Sequence, residues 1–188
     1  MKIQELTVGP VGTCCYILSG EGRDDCLVID PGDEAARIRK AAGGKKIAAV
    51  LLTHGHFDHI GAAGDLLSDG TRLVIHEADA KSLGDPVKNA SLVFFDTPVT
   101  APEATDTVRD GDVLHLAGLE IRVIHTPGHT PGSVCYLVEN ELFTGDTMFE
   151  HGWGRTDLPG GNQAELFASL RKLMPLVKDR PFHPGHAG

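Results

Sequence analysis

Residues 54 to 59 read His-Gly-His-Phe-Asp-His, which places four metal-capable side chains, His54, His56, Asp58 and His59, in one short segment. Imidazole and carboxylate together make a borderline-to-hard donor set suited to zinc, iron or manganese. On an extended loop His54 and His56 point to the same side, as residues i and i+2 of a strand do. Asp58 and His59 fall where the chain turns into a helix and can face a second point a few ångströms away. A capping loop with incidental histidines is the bland alternative. At this composition the pattern arises by chance with odds of only roughly 0.002 over all start positions.

Three later segments carry similar chemistry. Thr126-Pro127-Gly128-His129-Thr130-Pro131-Gly132-Ser133 follows a strand, and its prolines and glycines present His129 from a tight loop with little entropy left to lose. Phe143-Thr144-Gly145-Asp146-Thr147 is an apolar strand ending in Gly-Asp. There Gly145 allows a close backbone approach, and Asp146 has two oxygens, enough to bridge two cations. Pro184-Gly185-His186 is the last. Each is weak alone, since a lone Gly-Asp is more often a turn; in this order, after the first motif, they become strong. His125 reads as a core or hydrogen-bonding residue, and surface or hydrogen-bonding roles are the default for His76, His115, His151 and His183.

The elements that must position these residues are short and mixed. Cys15 to Leu18 and Cys26 to Ile29 read as strands, and Asp30-Pro31-Gly32 ends the second. Asp33 is the expected cap of a helix running to about Ala42, stopped by Gly43-Gly44. Ile47 to Leu52 is a continuous apolar run, as in a strand buried on both faces, and it delivers the chain into His54. A helix from about Ile60 to Leu67, a strand from Arg72 to Ile75 and a short helix around Glu77 to Ser82 follow. Residues 84–106 read as a long loop with little regular structure, of the kind that often serves as a lid. Beyond Asp110, hairpins pair Val113–Leu116 with Leu119–Ile124 and Ser133–Val138 with Leu142–Thr144. Apolar residues at helical spacing mark Gln163 to Met174. Two successive sets of strands and helices imply an α/β sandwich of layers within one domain, residues 1–188. The chain stops two residues past His186, which sets the expectation of a loosely held C-terminal edge.

Acidic residues outnumber basic ones by 26 to 17, a formal charge of −9, which argues against nucleic acid and anionic membrane as partners. A pair of bound divalent cations would offset part of that charge. Met1 to Gly9 resembles neither a secretory signal nor a transit peptide, and no apolar run approaches the ~18 residues needed to span a bilayer. Cys14, Cys15, Cys26 and Cys135 lack CxxC spacing and sit in apolar, strand-like contexts, so buried free thiols and a cytoplasmic location are expected.

The ordered set of motifs resembles the metallo-β-lactamase superfamily over nearly the whole chain. The resemblance implies an αβ/βα four-layer sandwich. It also implies a first metal on His54, His56 and His129, a second on Asp58, His59 and His186, and Asp146 as the bridge. His at 59 and Asp at 146 are similar to the glyoxalase II branch and, within it, to small single-domain bacterial proteins without the helical domain of larger glyoxalases. The antibiotic-hydrolysing zinc enzymes commonly carry Cys where Asp146 stands, so β-lactam hydrolysis is not the expected reaction. Gly152-Trp153-Gly154-Arg155 resembles the family's Gly-x-Gly-basic loop, in which the basic residue contacts glutathione; an ion pair with Asp157 is the alternative use of Arg155. The implied activity is hydrolysis of a thioester, S-lactoylglutathione or a related acyl-thiol, with two divalent ions, zinc first and iron or manganese also acceptable. Asp58 would orient the nucleophile or handle its proton. Gly154-Arg155-Thr156-Asp157 is instead similar to persulfide dioxygenases, which use one iron. That oxidoreductase and a lactone hydrolase are the rival readings.

Overall fold

The computed structural model describes residues 1–187. One sheet runs in the order β1 (Lys2–Val8), β2 (Thr13–Ser19), β3 (Asp25–Ile29), β4 (Lys46–Leu51), β5 (Arg72–His76) and β6 (Asp106–Val108). Its first three strands are antiparallel and the rest parallel. A second sheet has the order β13 (Phe182–Pro184), β10 (Glu141–Gly145), β9 (Val134–Val138), β8 (Leu119–His125), β7 (Val113–Leu116), and β11 (Met148–Phe149) pairs with β12 (Gly152–Trp153). The helices are α1 (Ala35–Ala41), α2 (Phe57–Ile60), α3 (Ala63–Leu66), α4 (Ser91–Phe94) and α5 (Gln163–Val177), with a 3₁₀ segment over Glu77–Gly84.

Strand alternation explains the layering. Tyr16, Leu18, Leu27, Ile29, Ala49 and Leu51 turn inward to meet Ile121, Val123, Tyr136 and Phe143 of the second sheet. Their neighbours Cys15, Ile17, Cys26, Val28, Val50 and Leu52 point the other way, onto Ile38 of α1 and Ala63 and Leu66 of α3. On the far side, Ile124, Cys135 and Leu142 meet Leu173 of α5. Sequential residues thus feed two different cores, as a period of two requires, and the result is helix, sheet, sheet, helix. Two buried tyrosines tie the layers near the strand ends: Tyr136 donates its hydroxyl to the Leu52 carbonyl at 2.7 Å, and Tyr16 to that of Pro184 at 2.6 Å. All four cysteines are buried and free. No helix among the described residues is long and apolar enough to cross a membrane.

Several expectations need correction. Asp33 is not the cap of α1; Glu34 holds that position at φ 59 with no side-chain cap, while the Asp33 carboxylate accepts from the Glu34 amide. The helix expected from Ile60 is two four-residue helices, α2 and α3, and the first begins early enough to carry Asp58 and His59. The break follows from packing, because the Pro31 carbonyl takes the Ala62 N–H and Gly61 abuts Gly32. Residues 84–106 hold α4, which Asn89 and Ser91 anchor by hydrogen bonds to the Val99 backbone. The C-terminal edge is held: β13 runs parallel to β10, and the Gly185 carbonyl accepts from Cys14 N–H at 2.7 Å. β1 escaped the sequence reading because it is half exposed and carries Gln4, Glu5 and Thr7 among its apolar residues.

Gly32 does more than end β3. A Cβ there would sit 1.7 Å from the Asp58 carbonyl oxygen, so only glycine lets the turn after β3 touch α2. Gly32→Ala is expected to cost roughly 2–3 kcal/mol in urea denaturation and to move Asp58. A variant as stable as the parent would show that the contact relaxes freely.

Candidate metal centre

The side chains picked out by sequence gather at one end of the paired sheets. β4 delivers His54 and His56, α2 carries Asp58 and His59, the loop after β8 presents His129, the end of β10 presents Asp146, and β13 leads into His186. The C-terminal ends of parallel strands are where an open sheet leaves room for a ligand. Gly145, at φ 51, lies so close to Thr53 that a Cβ would meet its hydroxyl at 2.5 Å, the close approach its position suggested.

Hydrogen-bond partners decide which nitrogen of each ring faces inward. His129 Nδ1 lies 2.7 Å from the Arg155 carbonyl, which can only accept, so that nitrogen carries the proton and Nε2 offers a lone pair. His54 Nδ1 meets Thr53 Oγ1 at 3.1 Å; that hydroxyl already donates to Asp30 Oδ2, so it accepts from the ring and leaves His54 Nε2 bare. Both bare nitrogens flank His56 Nδ1, at 2.9 Å from His129 and 3.1 Å from His54. A single proton on His56 could satisfy only one of them. On the other side, His59 Nδ1 meets Asp30 Oδ2 at 2.9 Å, which turns Nε2 toward Asp58 and Asp146, both at 3.4 Å, and toward His186 Nε2 at 3.3 Å. Asp146 Oδ1 is buried with no hydrogen-bond partner. Acceptors facing acceptors across buried gaps fit cations, and the donor atoms of His54, His56 and His129, of His54, His59 and Asp146, and of Asp58, His59 and His186 cluster within 4.8 Å.

The electrostatics agree. Burial and neighbouring imidazoles push His54 well below the usual histidine range and His56 down to about 3, so both rings are neutral. Burial alone would raise Asp58 and Asp146, but the facing His59 and the adjacent His186 hold both below the usual carboxylate range. Burial opposes charge on His59 and His186 too; there the carboxylates win, lifting His59 well above its ordinary value and His186 to about 9. The metal-free protein therefore holds protons where a cation belongs. A ring must be neutral to ligate, so metal binding below pH 9 should release protons, and affinity should fall by up to about tenfold per displaced proton for each unit the pH drops. Calorimetry in buffers of different ionisation enthalpy checks this; a heat independent of buffer would contradict it.

Two aspartates carry no site signal in the sequence. Asp30, buried at φ 50, accepts from Thr53 N–H at 2.8 Å and from the Thr53 hydroxyl, and it fixes the His59 tautomer. Asp79, in the 3₁₀ segment and 1% exposed, accepts from Gly55 N–H at 2.9 Å, Gly132 N–H at 2.7 Å and the Thr130 hydroxyl at 2.7 Å. Its carboxylate thus clips the loop between His54 and His56 to the loop around His129. Neither lies in a metal-ligand spacing pattern, so only their place before Pro31-Gly32 and after His76-Glu77 could have drawn notice. Of the other histidines, His125 donates to the Pro131 carbonyl (2.9 Å) and stacks on His76 at 4.0 Å, away from the centre. His183 pairs with Glu141, and His115 and His151 are exposed.

Above the centre lies a cavity of about 500 Å³ whose floor is His56, Asp58, His129, Asp146 and His186. Its walls are Val11, Phe57, Phe94, Phe95, Phe149 and Leu158, with Arg155 at the mouth. Arg155 forms the ion pair with Asp157, at 2.5 and 2.7 Å, and its guanidinium lies 5.8 Å from the centre of the Phe94 ring.

Fold and site together define the class: the chain belongs to the metallo-β-lactamase superfamily, whose family model matches residues 8–186. That superfamily consists largely of metal-dependent hydrolases, and the His/Asp cluster here is fit to bind divalent metal. Among individual proteins, the chain is 35% identical to hydroxyacylglutathione hydrolase GloC of Haemophilus influenzae, over 99% of this chain and 91% of that one. The crystal structure of BLEG-1 B3 metallo-beta-lactamase superposes with a TM-score of 0.93 at 32% identity, covering 100% of this chain and 92% of that one. The di-iron-bound form of TTHA1623 superposes with a TM-score of 0.84, also at 32% identity, covering 98% and 92%.

Proposed function

We propose that the protein is a binuclear metal-dependent thioesterase of the glyoxalase II kind, acting on S-lactoylglutathione or a related acyl-thiol. His54, His56 and His129 hold one divalent ion and Asp58, His59 and His186 the other, zinc being the first choice and iron or manganese compatible with the same donors. The observation that carries the reading is the reach of one carboxylate. Asp146 lies 3.5 Å from His129 on one side and 3.4 Å from both His59 and His186 on the other, so it can serve both ions. Divalent cations, if bound by these residues, would supply a Lewis acid for a carbonyl oxygen and lower the pKa of water toward neutral pH.

The chain's own groups do the rest. Asp58, whose Oδ2 accepts from the Thr13 hydroxyl at 3.2 Å, is held at the cavity floor, where it can orient a nucleophilic water and take its proton. The aromatic walls shed water around the scissile bond. Arg155 can exchange its exposed partner Asp157 for a substrate carboxylate at little cost, since exposed ion pairs contribute only ~0–1 kcal/mol. Likeness to hydroxyacylglutathione hydrolase GloC supports the thioester class. The Arg155-Thr156-Asp157 run favours a second reading, oxygenation of a glutathione persulfide on one iron. Metal-saturated protein should release thiol from S-lactoylglutathione and lose that activity on chelation. No thiol release from it or from an acetyl, butyryl or hexanoyl thioester would sink the thioesterase reading, and parallel assays on a lactone, on a β-lactam and on glutathione persulfide with an oxygen electrode would show what replaces it.

A further inference from the structure

A second cavity, of about 300 Å³, adjoins the one above the metal centre and shares Val11, Phe57, Asp58 and Phe95 with it. It leads away from the floor past Asp58, toward Val8, Pro10 and Val99, while Arg155 lines only the first cavity. The partition between the two is apolar and partly bare. Phe95 is 42% and Val11 47% exposed, and Phe57 and Phe95 pack edge to face at 5.2 Å. Exposed aromatic and aliphatic surface in a concave wall beside a reactive centre is surface a ligand can cover. The charged residues of the second cavity are Asp33 and Asp58, both acidic. With Asp58 engaged at the metal centre, Asp33 remains to repel an anionic arm, and no cationic side chain lines the cavity to receive one.

We infer that this second cavity is the subsite for the acyl arm of the substrate, and that the arm is uncharged and apolar, a medium-length alkyl or an aryl group. The inference rests on the thioesterase reading and narrows it within the acyl-thiols, away from a small hydroxyacyl group. A cavity of ~150 Å³ accepts benzene, so this one has room for a group of about that size or somewhat larger. With the carbonyl over the metal centre, the two cavities part the substrate: the acyl arm turns past Asp58 toward Val99, and the thiol arm turns toward Arg155.

The test pairs binding with turnover. Acetate, butyrate and hexanoate, the product acids, are titrated calorimetrically into metal-loaded protein, with succinate as the charged comparison. Affinity should tighten by roughly two- to fourfold per added methylene, and succinate should bind more weakly than butyrate. The same order should appear in kcat/KM for acetyl, butyryl, hexanoyl and succinyl thioesters of one thiol. Val99→Trp fills the second cavity and keeps the backbone hydrogen bonds of Val99 to Asn89 and Ser91. It should collapse the hexanoyl-to-acetyl ratio, which is taken within one sample so that partial misfolding cancels. Binding independent of chain length, or preference for succinate, overturns the inference whatever the turnover assays show. Chain-length-dependent binding without cleavage of any thioester supports the subsite and sinks the thioesterase reading instead.

Discussion

Asp146→Asn is expected to lower kcat/KM on the proposed thioester substrate by roughly 10²- to 10³-fold and to reduce the metal retained after gel filtration. The substitution keeps the shape of the side chain and one carbonyl acceptor but removes the charge that faces His59, His129 and His186. The fold should survive, since the layers are held by cores that do not include residue 146. Elemental analysis with thermal melting of the same sample checks this. An Asp146→Asn protein that keeps a full complement of metal and near-normal turnover would show that the carboxylate bridges nothing.

Asp79→Ala should be the most damaging change outside the candidate ligands. Three buried donors lose a charged acceptor at once, and hydrogen bonds to charged groups contribute ~1.5–3 kcal/mol each. Because they share one carboxylate the sum is not additive, and a loss of about 3–5 kcal/mol is expected in the metal-free protein. The effect should reach the metal as well. With the Gly55 and Gly132 loops unclipped, the His54, His56 and His129 nitrogens lose their common focus, and affinity should fall about 10–100-fold. Asp79→Asn, which keeps one acceptor oxygen, should recover part of both. Denaturation and competition against a chromophoric chelator separate the two effects; a destabilised variant with unchanged metal affinity would leave Asp79 a purely structural residue.

How much of this could be read from sequence depended on what each feature needed. The candidate ligands were legible because metal chemistry restricts both residue type and spacing, and His54 to His59 satisfies both on its own. Strands such as β4 were legible because burial on both faces leaves an unbroken apolar run. The half-exposed β1 and the three-residue β6 and β13 were not, since their existence depends on neighbours far away in the chain. α4 was hidden for a related reason: four residues nucleate no helix alone, and buried Asn89 and Ser91 hold it in place. Asp30 and Asp79 were illegible in a stronger sense. They stand outside the candidate ligand clusters, and what gives them meaning is the set of donors the fold brings to them. The sequence leaves Arg155 two uses, and the fold shows why, placing it both in its ion pair and in the lining of the cavity.

The most direct measurement counts metal in the preparation that turns over. Purified protein reconstituted with zinc, and separately with iron, is analysed for metal per chain and assayed at once on S-lactoylglutathione and glutathione persulfide. Two divalent ions per chain, with thiol release that rises with the second equivalent, is the expected result. One iron per chain, with oxygen uptake on the persulfide and no thiol release, would contradict the binuclear thioesterase.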